Sequence, residues 1–299
     1  MLHAWSSARY VIPLPAEHRF PIAKYAMLRD GVVARGFVAA AHLHEPARVT
    51  IGDLLRVHTQ AYVAAFTNGS VAAADMRRLG FPWSSQLVER AYRAVGGTCE
   101  AAEAALSLGV TINLAGGTHH AFAGHGEGFC VFNDVAVALH KLFANGSIRR
   151  AAIIDLDVHQ GNGTHAIFAD DRRVFTFSMH AARNYPFHKV AGSLDIALED
   201  RTGDGEYLER LADALPGVLR SAAPDLVIYL AGADPLQGDQ LGRLSLTSEG
   251  LARRDAMVLQ ACREVGIPVT LTVAGGYGRC IESTVAAHLG TVAVAREFC

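Results

Sequence analysis

Asp155, Asp157 and His159 are spaced by two and directly follow the apolar run Ala151–Ile154. On an extended chain that spacing puts all three on one face, with Ile154, Leu156 and Val158 on the other. Three ionisable groups on one face of a buried strand are costly unless something compensates them, and a cation does. Carboxylate with imidazole is hard-to-borderline ligand chemistry, suited to Zn2+ or Fe2+. The plainer reading is a strand running out to solvent with a polar tip. Gly161 and Gly163 argue against it, because they mark close backbone approach. Asp234, in a Gly-Ala-Asp-Pro turn, could join two of the three, although alone it reads as an ordinary turn aspartate. Three protein ligands with one place left open is the catalytic pattern for zinc. His119 and His120 follow Gly116-Gly117-Thr118. A lone histidine is more often structural, whereas an adjacent pair in a loop points to proton transfer. Tyr277 follows Gly275-Gly276 and offers a phenol that can donate to a developing oxyanion. Without the other motifs it would read as a packed core tyrosine. The Gly-rich stretch around His125 matches neither the P-loop nor the dinucleotide fingerprint.

These residues need a frame that brings distant segments together. Short β-rich runs occur at Val110–Leu114, Ala151–Leu156, Val174–Ser178, Leu226–Leu230 and Val269–Val273. Helical patterns occupy Ser84–Leu108, Phe132–Phe143, Gly205–Ser221, Ser248–Val265 and Ile281–Val294. Continuous apolar strands alternating with amphipathic helices predict an α/β fold with a mostly parallel sheet covered on both faces. Ligands in such sheets bind beyond the carboxyl ends of the strands. Every candidate residue above lies at or just past the end of one of these runs. No linker, charge block, low-complexity tract or repeat divides the 299 residues, so the expectation is one domain over residues 1–299. The 27 basic and 29 acidic residues give a formal charge of −2, which argues against direct nucleic-acid binding through a broad basic surface. No apolar run is long enough for a membrane helix, and Met1–Phe20 has no secretory core. Cys99, Cys130, Cys262, Cys280 and Cys299 are odd in number and form no C-x-x-C, which predicts a reducing, cytoplasmic setting.

Taken together the motifs resemble the histone deacetylase family. They are Gly-Gly-Thr-His119-His120-Ala, Gly128-Phe129-Cys130-Val-Phe-Asn-Asp134, Ile-Asp155-Leu-Asp157-Val-His159-Gln-Gly-Asn162-Gly, Ala-Gly-Ala-Asp234 and Ala-Gly-Gly-Tyr277. Their order is the family's, and the resemblance runs from about Arg19-Phe20-Pro21 to Tyr277. It is closest in detail to the class IV enzymes and their bacterial relatives, through Asp-Val-His-Gln-Gly-Asn-Gly-Thr, Gly238-Asp-Gln-Leu241-Gly-Arg-Leu-Ser-Leu-Thr and Leu79-Gly-Phe-Pro-Trp83. The resemblance implies the arginase/deacetylase α/β fold and a zinc amidohydrolase acting on acyl-lysine, acetyl or longer, in proteins or peptides. By position Asp157, His159 and Asp234 match its metal ligands, His119 and His120 its tandem catalytic histidines, and Tyr277 its oxyanion donor. Asp155 and Asn162 match the partners of His119 and His120. Asp155, Asp157, His159, Ser178 and Met179 match a structural monovalent-cation site, usually K+. Gly128, Phe129, Tyr185 and Leu241 match the acyl-lysine tunnel. Asn162 stands where several classes carry Asp. The segment Ala182–Phe187 lacks the class I tunnel-wall pattern, so tunnel width and acyl preference are expected to differ.

Three rival readings share these motifs. One is a deacylase of small acylated amines such as acetylpolyamines, which in the family narrows its entrance with an inserted loop, and no such insertion is present. Another is the two-manganese ureohydrolase branch, which needs a further Asp where this chain has Gly161. The last is a non-catalytic acyl-lysine binder, which would be expected to have lost one of the six residues that are all retained here.

Overall fold

Eight strands and ten helices make up the computed structural model, which describes residues 1–299. The strands are β1 (His3–Trp5), β2 (Leu43–His44), β3 (Val110–Asn113), β4 (Ala151–Asp155), β5 (Val174–Ala181), β6 (Leu194–Leu198), β7 (Leu226–Leu230) and β8 (Val269–Thr272). The helices are α1 (Lys24–Ala34), α2 (Ile51–Leu54), α3 (Gln60–Asn68), α4 (Ala73–Leu79), α5 (Ser85–Leu108), α6 (Asp134–Ala144), α7 (Asn162–Phe168), α8 (Asp204–Ala222), α9 (Ser248–Glu264) and α10 (Ile281–Glu297). The strands form one sheet in the order β2-β1-β3-β8-β7-β4-β5-β6, and every pairing is parallel. All five strands and all five helices expected from the sequence are present. β1, β2 and β6 were not expected. β1 and β2 are too short to show a period, and β6 is a partly exposed edge strand.

Alternation along the central strands divides the core in two. Ala152, Ile154, Val227 and Tyr229 belong to one apolar cluster, with residues of α1, α8, α9 and α10. Ala151, Ile153, Leu226, Ile228 and Leu230 belong to the other, with residues of α3, α5 and α6. This is the two-faced cover that a parallel sheet requires. Caps set two helix starts. The Ser84 hydroxyl accepts from the Leu87 N–H, and the Asn133 side chain accepts from the Ala136 N–H, so α6 begins at Asp134 rather than Phe132.

One local expectation needs correction. β4 ends at Asp155, so Asp157 and His159 lie in a bend and not on a strand. The predicted division of sides nevertheless persists, because Ile154, Leu156 and Val158 all join the same apolar cluster. Neighbouring strands still anchor this segment: Leu156 N–H donates to Leu230 O at 3.1 Å, and Ala181 N–H donates to Val158 O at 3.0 Å. β5 runs three residues beyond its expected end because His180 and Ala181 pair with β6. No helix is long and apolar enough to cross a membrane.

Candidate metal centre and tunnel

The carboxyl ends of β4, β7 and β8 converge on one buried point. Asp157, His159 and Asp234 each offer a ligand atom there, all within 4.8 Å of one another. His159 Nδ1 lies 3.0 Å from Asp157 Oδ1 and 3.2 Å from Asp234 Oδ2. Backbone donors fix the carboxylates: Gly275 N–H donates to Asp157 Oδ2 at 2.8 Å and Val158 N–H donates to Asp234 Oδ1 at 2.9 Å. Absent side chains keep the cradle clear. A Cβ on Gly232 would come 2.7 Å from Asp157 Oδ2, and one on Gly275 would collide with the Asp234 carboxylate. Burial and the neighbouring Asp157 raise the Asp234 acid to about 7. Burial alone would lower His159, but its bonds to both carboxylates outweigh that and raise it to about 10. Two dry carboxylates this close favour a positive charge between them. The donor set, two carboxylates and one imidazole, fits a divalent cation.

The paired histidines sit beside this cluster, and both are buried. His119 Nδ1 lies 2.7 Å from Asp155 Oδ2, and His120 Nδ1 lies 2.7 Å from Asn162 Oδ1. Burial opposes charge on His119, but Asp155 and Asp157 overcome it and raise the group to about 9. His120 has no such carboxylate, and burial with the nearby His119 and His159 pushes it well below its ordinary value. Asn162 Nδ2 donates to Glu127 Oε1 at 2.7 Å, where the Tyr185 hydroxyl also donates at 2.7 Å. A carboxylate only accepts, so the Asn162 amide nitrogen must face Glu127 and its oxygen must face His120. Neutral His120 therefore carries its proton on Nδ1 and leaves Nε2 as a free acceptor. Sequence reasoning passed over Glu127, whose only signal was a lone acid in a Gly-rich loop. Asp134 was quoted only as part of a motif. It accepts from Gly117 N–H at 3.0 Å and Thr118 N–H at 2.8 Å, holding the loop in which Gly116 and Gly117 have φ of 78° and 70°.

Tyr277 borders the same cavity as His120 and His159. Burial raises its phenol well above the ordinary range, so it stays protonated at neutral pH. Its loop is pinned by the buried Lys24, whose ammonium donates to Ala274 O and Gly276 O, both at 3.3 Å. Gly128, Phe129, Tyr185 and Leu241 line the passage from the surface to the site. Phe129 holds φ of 65°, uncommon for a bulky residue, and its ring packs among Phe20, Phe81 and Tyr277. A Cβ on Gly128 would come 2.7 Å from His120 Cδ2, so the wall touches the histidine directly. The cavity that Asp157, His159, Asp234 and Tyr277 line is also lined by Tyr25, Ala91 and Val95. Ser178 and Met179 are buried on β5 and do not line the passage. Ser178 stands opposite Asp155 in the β4–β5 register, and its hydroxyl lies 2.9 Å from His180 Nδ1. Of the remaining histidines, His18 meets the wall through Gly80 O at 2.9 Å, and His125 stacks on Phe122.

A family model described as a histone deacetylase domain matches residues 18–292. Histone deacetylase 2 of Arabidopsis thaliana is 36% identical over 270 residues, covering 87% of this chain and 70% of that one. An uncharacterised protein of a Picosynechococcus strain is 43% identical over 279 residues, covering 93% of each. Among solved structures, an HDAC homologue from Aquifex aeolicus superposes with a TM-score of 0.87 over 99% of this chain and 84% of that one. Its 24% identity makes that a likeness of fold.

Proposed function

The chain belongs to the histone deacetylase family and is a hydrolase; from that premise we propose that it removes acyl groups from the side-chain amine of lysine in proteins or peptides. The observation that carries this reading is the convergence of three ligand residues, two oriented histidines and one protonated tyrosine on a single tunnel end. Asp157, His159 and Asp234 would hold the metal, zinc in our assignment, with ferrous iron the other ion that this ligand set suits. Such an ion polarises the amide carbonyl and lowers the pKa of bound water.

The chain's own groups supply the rest. His120 Nε2 takes the proton of the attacking water and returns it to the departing amine. His119, held charged by Asp155, keeps a positive field beside the reacting carbonyl. The Tyr277 hydroxyl donates to the oxygen that becomes negative. Gly128, Phe129, Tyr185 and Leu241 enclose the lysine stem. Asp155, Asp157, His159, Ser178 and Met179 would hold K+, a reading supported by the register of Asp155 against Ser178. Asn162 at the second histidine supports a place in the class IV branch. Gly161 supports a single catalytic ion, because a Cβ there would come 2.5 Å from Asp155 Oδ2 and leaves no room for a further acid. We assign residues 1–299 to one catalytic domain and, from the unpaired pattern of cysteines, place the protein in the cytoplasm. The apolar residues Tyr25, Ala91 and Val95 line the cavity that also holds the metal-site residues, which supports an acyl group, acetyl or longer, seated among them.

The test is a kinetic panel of lysine peptides from acetyl to myristoyl, with the protein's metal content measured alongside. Zinc-dependent turnover is expected, and the panel ranks the acyl lengths. Tyr277→Phe should lower kcat about 100- to 1000-fold while metal content is retained. No metal-dependent turnover across the whole panel would replace this reading with that of an acyl-lysine binder.

A further inference from the structure

The outer end of the tunnel is lined by arginines. Arg19, Arg78, Arg183 and Arg243 line the passage that leads to His120, His159 and Tyr277, and no aspartate or glutamate lines it. All four are exposed. Arg78 pairs with Asp75 at 3.5 Å, Arg183 with Glu199 at 3.5 Å and Arg243 with Asp200 at 3.0 Å, and none of these carboxylates lines the passage. Arg19 forms no salt bridge. Such exposed pairs are weak and exchange readily for a better partner. The protein as a whole is slightly acidic, at −2, so four cations at one opening do not reflect a basic surface in general.

A guanidinium presents a planar fork of donors that matches carboxylate and phosphate oxygens. It repels ammonium groups, and at the mouth of a cleft that repulsion acts on whatever flanks the scissile amide. We propose that the acylated substrate carries an anionic group just outside the scissile amide, and that Arg19, Arg78, Arg183 and Arg243 select it against polyamines and lysine-rich peptides. The proposal rests on the deacylase reading and narrows its substrate. The anion has two possible sources: acidic residues flanking an acyl-lysine in a peptide, or the carboxylate of a free acylated amino acid.

The experiment uses the metal-loaded full chain and acetyl-lysine peptides of one length with acidic, neutral or basic flanks. Free Nε-acetyl-lysine and an acetylated diamine complete the set. At low salt, kcat/KM for the acidic peptide should exceed that for the neutral one about tenfold, the product of a few weak exposed contacts. The basic peptide and the acetylated diamine should fall below the neutral peptide. The preference should collapse near about 0.5 M salt, where charges are screened beyond a few ångströms. The double variant Arg19→Glu/Arg243→Glu should reverse the order of acidic and basic peptides. Free Nε-acetyl-lysine outrunning the acidic peptide would assign the anion to a small molecule, and the converse to a protein. Equal turnover of all three flanks at low salt, or a preference for the basic peptide or the diamine, would overturn the proposal. Absence of turnover on every substrate would overturn the deacylase reading instead. The rim would then be judged by fluorescence anisotropy of the labelled peptides, where acidic binding no tighter than basic overturns it.

Discussion

Asn162 contributes no charge to His120, yet it sets which nitrogen of that ring is free. The setting depends on Glu127, which receives the amide nitrogen of Asn162 at 2.7 Å and so turns the amide oxygen towards His120. A glutamine in place of Glu127 could donate as well as accept, and the Asn162 amide could then flip. His120 would in part carry its proton on Nε2, where it cannot accept one. Glu127→Gln should lower kcat about 10- to 100-fold, within the range that a positioned base supplies. Nitrogen-15 spectra of the imidazole should show His120 moving from one tautomer to a mixture. An unchanged tautomer in the variant would mean that Glu127 does not hold the ring. The sequence alone made Asn162 legible, because it sits in a recognisable run with His159. Glu127 was not legible, because its bond to Asn162 spans 35 residues, from a loop without a period to the first residue of α7.

At the scale of elements, α9 reaches through the core to the strand ends that carry the candidate ligands. Arg254 is fully buried and donates to Leu156 O at 3.2 Å and Gly232 O at 2.7 Å. These carbonyls stand one residue before Asp157 and two before Asp234. Asp255 balances the charge: it accepts from Arg254 Nε at 2.9 Å, from the Tyr229 hydroxyl and from Thr291 Oγ1 at 2.6 Å. Arg254→Ala would leave a dry carboxylate without its cation and should cost about 3–5 kcal/mol. Urea denaturation should show the loss, and any metal loaded at the cluster of Asp157, His159 and Asp234 should dialyse out faster from the variant. Arg254→Met with Asp255→Asn should recover part of the stability, since no uncompensated charge then remains. A hint of this pair was present in the sequence. Leu251, Arg254, Asp255, Val258, Leu259 and Cys262 follow helical spacing, and all are buried. The five central strands were readable because they are short, β-rich buried runs between helical patterns, even though β3 and β8 put Thr111, Asn113, Thr270 and Thr272 on one face. β4 was read one residue too long, since its alternation outlasts its ladder, and β1, β2 and β6 are too short or too exposed to signal.

Across the whole molecule, buried neutral histidines make acid the expected weakness. His58 joins the two ends of the loop that carries Phe129. Its Nδ1 lies 3.0 Å from Phe122 O, and its Nε2 accepts from the Asn133 N–H at 3.0 Å. Protonation would abolish the second bond, and burial lowers the group from 6.5 to about 4. The unfolded chain takes up this proton below about 6.5, whereas the folded chain resists until about 4. Its contribution is therefore complete above 6.5 and is lost as pH falls towards 4. The loss is on the order of 3 kcal/mol. His180, lowered to about 4 chiefly by burial, acts in the same direction. Denaturation at pH values spanning this window should show a steep decline in the wild type. The decline should be shallower in His58→Gln, which can keep a donor and an acceptor but does not titrate. The ligand cluster has a different consequence, one of assembly order. The bond from Val158 to Asp234 spans 76 residues, and the bond from Gly275 to Asp157 spans 118. No local segment can gather these groups, and parallel pairings over such distances form slowly. During synthesis, Asp157 and His159 must wait for β7 and then β8 to emerge before their cradle closes. A metal held by these residues would therefore be gripped tightly only by a finished chain, and it would stabilise only that state.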